Sequence, residues 1–282
     1  MSSLHSLLRG AIDYAGLFPP AGLGMAEAVR NYSAYREGED AWALGRFVVP
    51  ATRVVEFESA AAPLLPRSPS PSPWRVAALI GPDVESDLRT LDQFNCRHAA
   101  EGEGAVAADV VEGKAESIET IAWLLSRMPS HLQAYVEVPI AGDPARLIAA
   151  IGAAGGRAKV RTGGITADAF PPAADLVRFI RCCLAAGVPF KATAGLHHPL
   201  RAEYRLTYEP GSACGTMFGF LNLFLATGFI AAGLDDREAG LLLEEGDRDA
   251  FRFDDAGVEW RGRRLDAGAL RRARETGMVA FE

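Results

Sequence analysis

The sequence predicts an α/β protein closed as a (β/α)8 barrel, on three observations. Strand-like runs alternate with helical patterns seven or eight times along 282 residues, a spacing that argues for a parallel sheet. Hydrophobic residues make up 49% of the chain, enough for a full core at a length that suits one barrel better than two ordinary domains. Finally, residues 157–164 and 189–198 read as sister strands: each follows a glycine turn that closes an Ala/Leu-rich helix, carries a lysine mid-strand and runs into glycine. The chain is read as a single domain over 1–282, with an open doubly wound sheet as the alternative.

Taken in order, residues 4–8 give a short leading helix and 11–18 a first strand ending at Pro19-Pro20. Helical periodicity follows over 25–35, where Ala26, Val29, Tyr32 and Tyr35 share a face. Residues 45–50 form a second strand, and Thr52 caps a helix reaching Leu65. The Ser/Pro alternation of 66–73 can neither pack nor join a ladder, so it is a surface connector. The third strand (75–80), fourth (105–111) and fifth (133–139) each lead into a helix, the last opened by Pro144. The Lys159 strand is then sixth and the Lys191 strand seventh, separated by a helix over 173–186. A long loop, 197–214, follows strand seven, and a buried helix spans 216–232. An eighth strand is placed at 250–253, with 258–260 as a C-terminal hairpin partner and a last helix over 267–275. The open-sheet alternative would show a Gly-rich phosphate turn after strand one. The run Ala21-Gly22-Leu23-Gly24 lacks its third glycine.

Charge narrows the partners. A net charge of −7 with dispersed lysine and arginine argues against nucleic acid and for small-molecule chemistry. The uncharged stretch 211–234 has the length of a membrane span, but Asn222 and its glycines favour a buried helix, packed on the sheet or against a second copy in a homo-oligomer. Four cysteines with no C-x-x-C pair and no secretory signal suit the cytoplasm. The sequence implies no cofactor. Adjacent His197 and His198 point apart on an extended segment, and H-x-x-x-H spacing is absent, so no metal is assigned.

Catalytic side chains of a barrel come from the C-terminal ends of its strands and the loops beyond. That rule selects Asp13, Arg53, Asp109, Glu112, Glu137, Lys159, Arg161, Lys191, Thr193, His197 and His198. Thr162, Gly163 and Gly164 could bind an anion through backbone N–H groups. Buried Asn222 needs partners, so it either ties down the long loop or reaches a ligand. Lysines on adjacent buried strands repel and lose hydration, so at least one is expected to have a lowered pKa and to act as a neutral nucleophile. Plainer accounts are that carboxylates neutralise the lysines, Glu137 among them, and that Asp13 and Asp109 anchor Arg46 or Arg75.

Lysines on strands six and seven, the second continuing Ala192-Thr193-Ala194-Gly195, resemble the class I aldolases of the deoxyribose-phosphate aldolase type; Ile12-Asp13 with Leu17 is similar to that family's first strand. The resemblance implies Schiff-base chemistry at Lys159, with Lys191 as its pKa-lowering partner and Asp109 as proton-relay carboxylate. Glu137 joins them as a further catalytic candidate. The chain departs from the pattern at Arg161, which adds a cation, and at Leu196-His197-His198, where the family has a phosphate-gripping turn. Arg161 suits an acidic substrate, the turn argues against a sugar phosphate, and the string from Lys191 to Pro199 resembles bacterial proteins of a distinct barrel branch. The expectation is a lyase acting on a small carbonyl or carboxylate metabolite. The alternatives are an enolate-stabilising isomerase or lyase with a Lys/Arg cradle, and a barrel that binds an acidic metabolite without turnover.

Overall fold

A computed structural model describes residues 2–100 and 102–282. Its first half contains α1 (Ser3–Leu8), β1 (Ile12–Tyr14), α2 (Met25–Glu37), β2 (Leu44–Pro50), α3 (Val54–Ala61), β3 (Trp74–Leu79), α4 (Val84–His98), β4 (Val106–Lys114) and α5 (Ile118–Leu125). Next come β5 (Gln133–Glu137), α6 (Ala145–Ala153), β6 (Arg157–Arg161), α7 (Ala173–Ala186) and β7 (Phe190–Thr193). The remainder holds β8 (Ala202–Arg205), β9 (Cys214–Met217), α8 (Phe220–Ala231), α9 (Asp236–Leu243), β10 (Phe251–Asp254), β11 (Gly257–Trp260), β12 (Arg263–Asp266), α10 (Ala267–Thr276) and β13 (Met278–Phe281).

Strands β1 to β7 and β13 form a closed parallel barrel in the order β1-β13-β7-β6-β5-β4-β3-β2, so the (β/α)8 prediction holds and the open sheet does not. Alternation along each strand sorts the side chains into two sets. Trp74, Val76 and Ala78 of β3 face the helices within the large outer core, whereas Ala77 joins Val48, Val110, Tyr135 and Val279 in a small apolar cluster inside the barrel. The outer core owes much to its aromatic rings: Tyr32 meets Phe47 and Trp74 edge-on at 5.4 and 5.1 Å, and its hydroxyl donates to the Gly45 carbonyl at 2.8 Å.

The eighth barrel strand differs from expectation. Residues 251–254 lie not in the barrel but in an antiparallel three-stranded sheet, β10-β11-β12, so the hairpin with 257–260 is present and the barrel position is not. The alternating half-buried pattern of Phe251-Arg252-Phe253 suits a sheet with one face in water, whereas a barrel strand must be covered on both faces. Met278–Phe281, buried throughout, fills the gap between β7 and β1. The first strand is shorter than expected. In the excursion after β7, residues 214–217 pair with 202–205 as a hairpin, so the following helix starts at Phe220. Among the described residues, no helix is long and apolar enough to cross a membrane. Residues 66–73 run along the outside, touching the body through an Arg67–Gly104 bridge and the Arg36–Ser72 hydrogen bond.

Candidate active site

The register of the barrel sets Glu137 opposite Lys159, and Lys159 opposite Lys191. With a two-residue side-chain period, all three point inward, above the apolar cluster and towards the C-terminal mouth. Asp13 on β1 and Glu112 on β4 reach the same level across the barrel, and Glu282, directly after β13, completes the group.

The lysines do not face each other bare. Lys191 Nζ lies 2.7 Å from Asp13 Oδ2, 2.6 Å from Glu112 Oε1 and 2.7 Å from Glu282 Oε2. Lys159 Nζ donates to Glu112 Oε2 and, at 2.6 Å, to Glu282 Oε1. Glu112 and Glu282 therefore each bridge both ammonium groups, one oxygen to each. Thr193 Oγ1 donates to Glu282 at 2.7 Å, and the Arg46 backbone N–H donates to Asp13 Oδ1 at 2.7 Å. Gly45 makes that last contact possible, because a Cβ there would collide with the Asp13 carboxylate. Asp13, Glu112 and Glu282 offer oxygens close enough to share one cation, and the Lys191 ammonium is the cation they share.

The electrostatics reverse one expectation. Burial alone would push both amines down, but Glu112 and Glu282 outweigh it at Lys159 and raise its pKa. Asp13, Glu112 and Glu282 together raise Lys191 well above the usual lysine value. Burial opposes ionisation of Glu282, yet Lys191 and Lys159 hold its carboxyl well below the ordinary range. Repulsion between the lysines is present, but three interleaved carboxylates exceed it, and the pKa of each of the pair is raised.

A cavity of about 780 Å³ opens above this cluster at the barrel mouth. Lys159, Asp13, Thr193 and Glu282 form part of its floor and Lys191 does not, although both lysines are buried, at 3% and 1% of their side chains exposed. Glu137 lines the wall, its Oε2 3.9 Å from Lys159 Nζ and its Oε1 3.4 Å from Arg161 Nε and 3.6 Å from Lys114 Nζ. Gly163 and Gly164 also line it, and Gly163 must be glycine because Phe170 packs where a Cβ would stand. His197 stands at the solvent-facing rim, where partial desolvation and the neighbouring His198 hold its pKa below the ordinary histidine value.

Other candidates lie elsewhere. Asp109 sits at a register shift of β4 and is held by Arg46 at 2.6 and 3.0 Å and by Arg75 Nε at 2.8 Å, away from both lysines. The strand-four carboxylate that reaches them is Glu112, three residues further on. Arg53 pairs with Glu56 at 2.7 Å, outside the cavity. Thr162 stitches β6 to the β7 turn, its hydroxyl donating to the Ala194 carbonyl at 2.6 Å. His198 stacks on Tyr204 at 3.4 Å between ring centroids. Asn222 accepts from the Arg201 N–H at 3.0 Å and donates to the Leu242 and Glu245 carbonyls at 2.8 and 2.9 Å, so it ties the long loop down and does not line the cavity.

Two site residues escaped the sequence reading of the cluster. Glu112 satisfies the strand-end rule without standing apart from Asp109, and Glu282 directly follows an eighth strand that the sequence places at 250–253 instead. Their signal was present in the apolar run Met278-Val279-Ala280-Phe281, which restores the strand–helix alternation after α10. No protein-family model and no curated protein sequence matches this chain.

Proposed function

We propose that this chain is a lyase of the class I aldolase kind, in which Lys159 attacks the carbonyl of a small oxo acid. The observation that carries this reading is the asymmetry of the lysine pair: both sit in one carboxylate cluster, and Lys159 alone opens onto the cavity. Resting Lys159 is charged, and Glu112 and Glu282 are the bases within reach to accept its proton as a carbonyl approaches. Lys191, fixed and cationic, favours that release because it alone in the cluster repels the Lys159 charge. The free amine adds to the carbonyl carbon, and loss of water gives an iminium. Cleavage of the carbon–carbon bond one position beyond the adjacent carbon sends its electron pair to the iminium nitrogen as an enamine. Glu137, on the cavity wall, takes the hydroxyl proton of the departing aldehyde and returns a proton to the enamine. Water then releases the oxo acid. Four free cysteines fit the reducing cytoplasm that belongs to this reading.

Borohydride reduction of the protein with a panel of 2-oxo acids is expected to fix one substrate equivalent on Lys159, located by peptide mass. Because carboxylates raise this amine's pKa, the trapping rate is expected to climb as pH rises above neutrality. Unmodified protein across the panel would sink the Schiff base. A second reading rests on the same raised pKa: a charged Lys159, with Arg161, cradles an enolate while Glu137 moves the proton. Turnover that survives borohydride favours it. A ligand that stabilises the chain but is recovered unchanged supports binding alone.

A further inference from the structure

The cavity is divided. On one arc, Lys114 of β4 and Arg161 of β6 flank Glu137 and share its Oε1, so cations outnumber carboxylates there by one. Arg161 is half exposed, and its Nη groups have no partner among the described residues. It follows Lys159 by two residues on the same strand face, about 6.6 Å further towards the mouth. An anionic group attached next to a carbonyl held at Lys159 therefore points at Arg161. Above the floor that Asp13 and Glu282 share, the other arc presents apolar side chains. Phe18 and Pro20 come from the loop after β1, and Phe281 of β13 stacks on Phe220 at 4.7 Å and 16°. Tyr208, in the excursion after β7, and Ile165 are large apolar side chains left exposed at the cavity edge, at 73% and 49%. Beside a concave site that already carries Phe18, Phe220 and Phe281, these side chains extend the apolar wall available to a ligand.

Volume supports the same division. At about 780 Å³ the cavity lies in the range that encloses drug-sized ligands, so a three-carbon oxo acid bound at Lys159 and Arg161 would leave the apolar arc uncovered. We infer that the substrate is a 4-hydroxy-2-oxo acid whose C4 carries an aryl or branched alkyl group, cleaved to pyruvate and the corresponding apolar aldehyde. This rests on the lyase reading above. The C3–C4 bond breaks, its electrons move into the enamine at Lys159, the C4 hydroxyl proton leaves with a cavity carboxylate, and C4 departs as the aldehyde. One proton and one water then return pyruvate, and no oxidant or reductant is consumed. A sugar phosphate would set its polyhydroxyl chain against Phe18, Phe220 and Phe281, whose faces offer it no hydrogen bonds.

The test compares four compounds on the full chain by calorimetry: 2-oxo-4-phenylbutanoate, 2-oxobutanoate, 4-phenylbutan-2-one and 2-deoxyribose 5-phosphate. Borohydride trapping is run in parallel. The phenyl oxo acid is expected to bind at least about tenfold more tightly than 2-oxobutanoate, the effect of burying one ring. It should also bind at least about tenfold more tightly than the phenyl ketone, which lacks the carboxylate for Arg161. Arg161→Gln should narrow the second ratio and Tyr208→Ser the first; both positions are exposed, so the barrel tolerates the changes. Retro-aldol release of benzaldehyde from 4-hydroxy-2-oxo-4-phenylbutanoate completes the support. Tight phenyl binding without a trapped adduct supports the substrate class and overturns the Schiff base. Equal affinities for the two oxo acids, or tighter binding of the sugar phosphate, overturn the substrate class whether or not an adduct forms. Binding of none of the four overturns both.

Discussion

Lys191 lies where three carboxylates converge, and its own burial makes it a structural cation as much as a functional one. Removing one member of a buried charge group leaves the others uncompensated, a larger effect than the net contribution of the intact group. Lys191→Met keeps the side-chain length and leaves Asp13, Glu112 and Glu282 facing one another with Lys159 as their only ammonium. A loss of about 3–5 kcal/mol in denaturant unfolding is expected. An unchanged midpoint would show that the three carboxylates need no ammonium at that position. The same cluster sets the pH limits of stability. Both lysines have raised pKa values in the fold, so their contribution is fully present below about pH 10.4 and fades as pH climbs through the folded values. Glu282 is depressed, so its contribution is present above about pH 4.3 and fades as pH drops towards its folded value. The cluster's own contribution is constant between these limits, and melting temperatures should fall steeply outside them. In Glu282→Gln the acid fall should be shallower.

At the scale of elements, the turn after β7 sets the geometry of the mouth. Ala194 adopts a φ of 64°, held by its N–H to the Glu282 carbonyl at 3.1 Å and by its own carbonyl accepting from Thr162. A Cβ in the left-handed region costs about 1–2 kcal/mol, so Ala194→Gly is expected to raise stability by up to about 1 kcal/mol once the flexibility of glycine is offset. Thermal unfolding checks it, and a lower melting temperature would mean that the turn needs the methyl group. At the other end of the same excursion, Asn222→Ala strands the Arg201 N–H and two carbonyls. It should cost at least about 2 kcal/mol and increase proteolysis near the hairpin. Such elements were unequally legible. Short runs set off by glycine and by flanking helical patterns, such as 45–50 and 157–161, could be read directly as strands, and with them the position of both lysines. The eighth strand could not. It is only Met278–Phe281, while 251–254 offered an aromatic run of the same length whose alternation belongs to a surface sheet. Missing that strand also hid Glu282, and with it the balance that raises rather than lowers the lysine pKa values. Asp109 and Glu112 lie on one strand, and no local rule separates them, because the register shift beside Asp109 is a property of the pairing with β3.

In the whole molecule, the barrel interior is layered. An Arg46–Asp109–Arg75 network lies towards the strand starts, an apolar cluster around Val48, Ala77, Val110, Tyr135 and Val279 above it, and the lysine cluster above that. The apolar layer keeps the two charged ones apart and raises the strength of each. Closure holds the layers together, and β13 supplies it by pairing with both β1 and β7. Deleting residues 278–282 is therefore expected to abolish cooperative unfolding and near-ultraviolet dichroism, with fast amide exchange in β1 and β7. A retained sharp transition would show that seven strands suffice. Because β13 follows every other barrel strand in the chain, synthesis on the ribosome delivers Lys159, Lys191 and Glu112 well before Glu282, the second carboxylate that bridges the lysines. Until that last segment docks, the nascent barrel carries both cations beside only part of their counter-charge. Shape and charge balance thus mature in a single step, and a stalled or clipped chain would lack both.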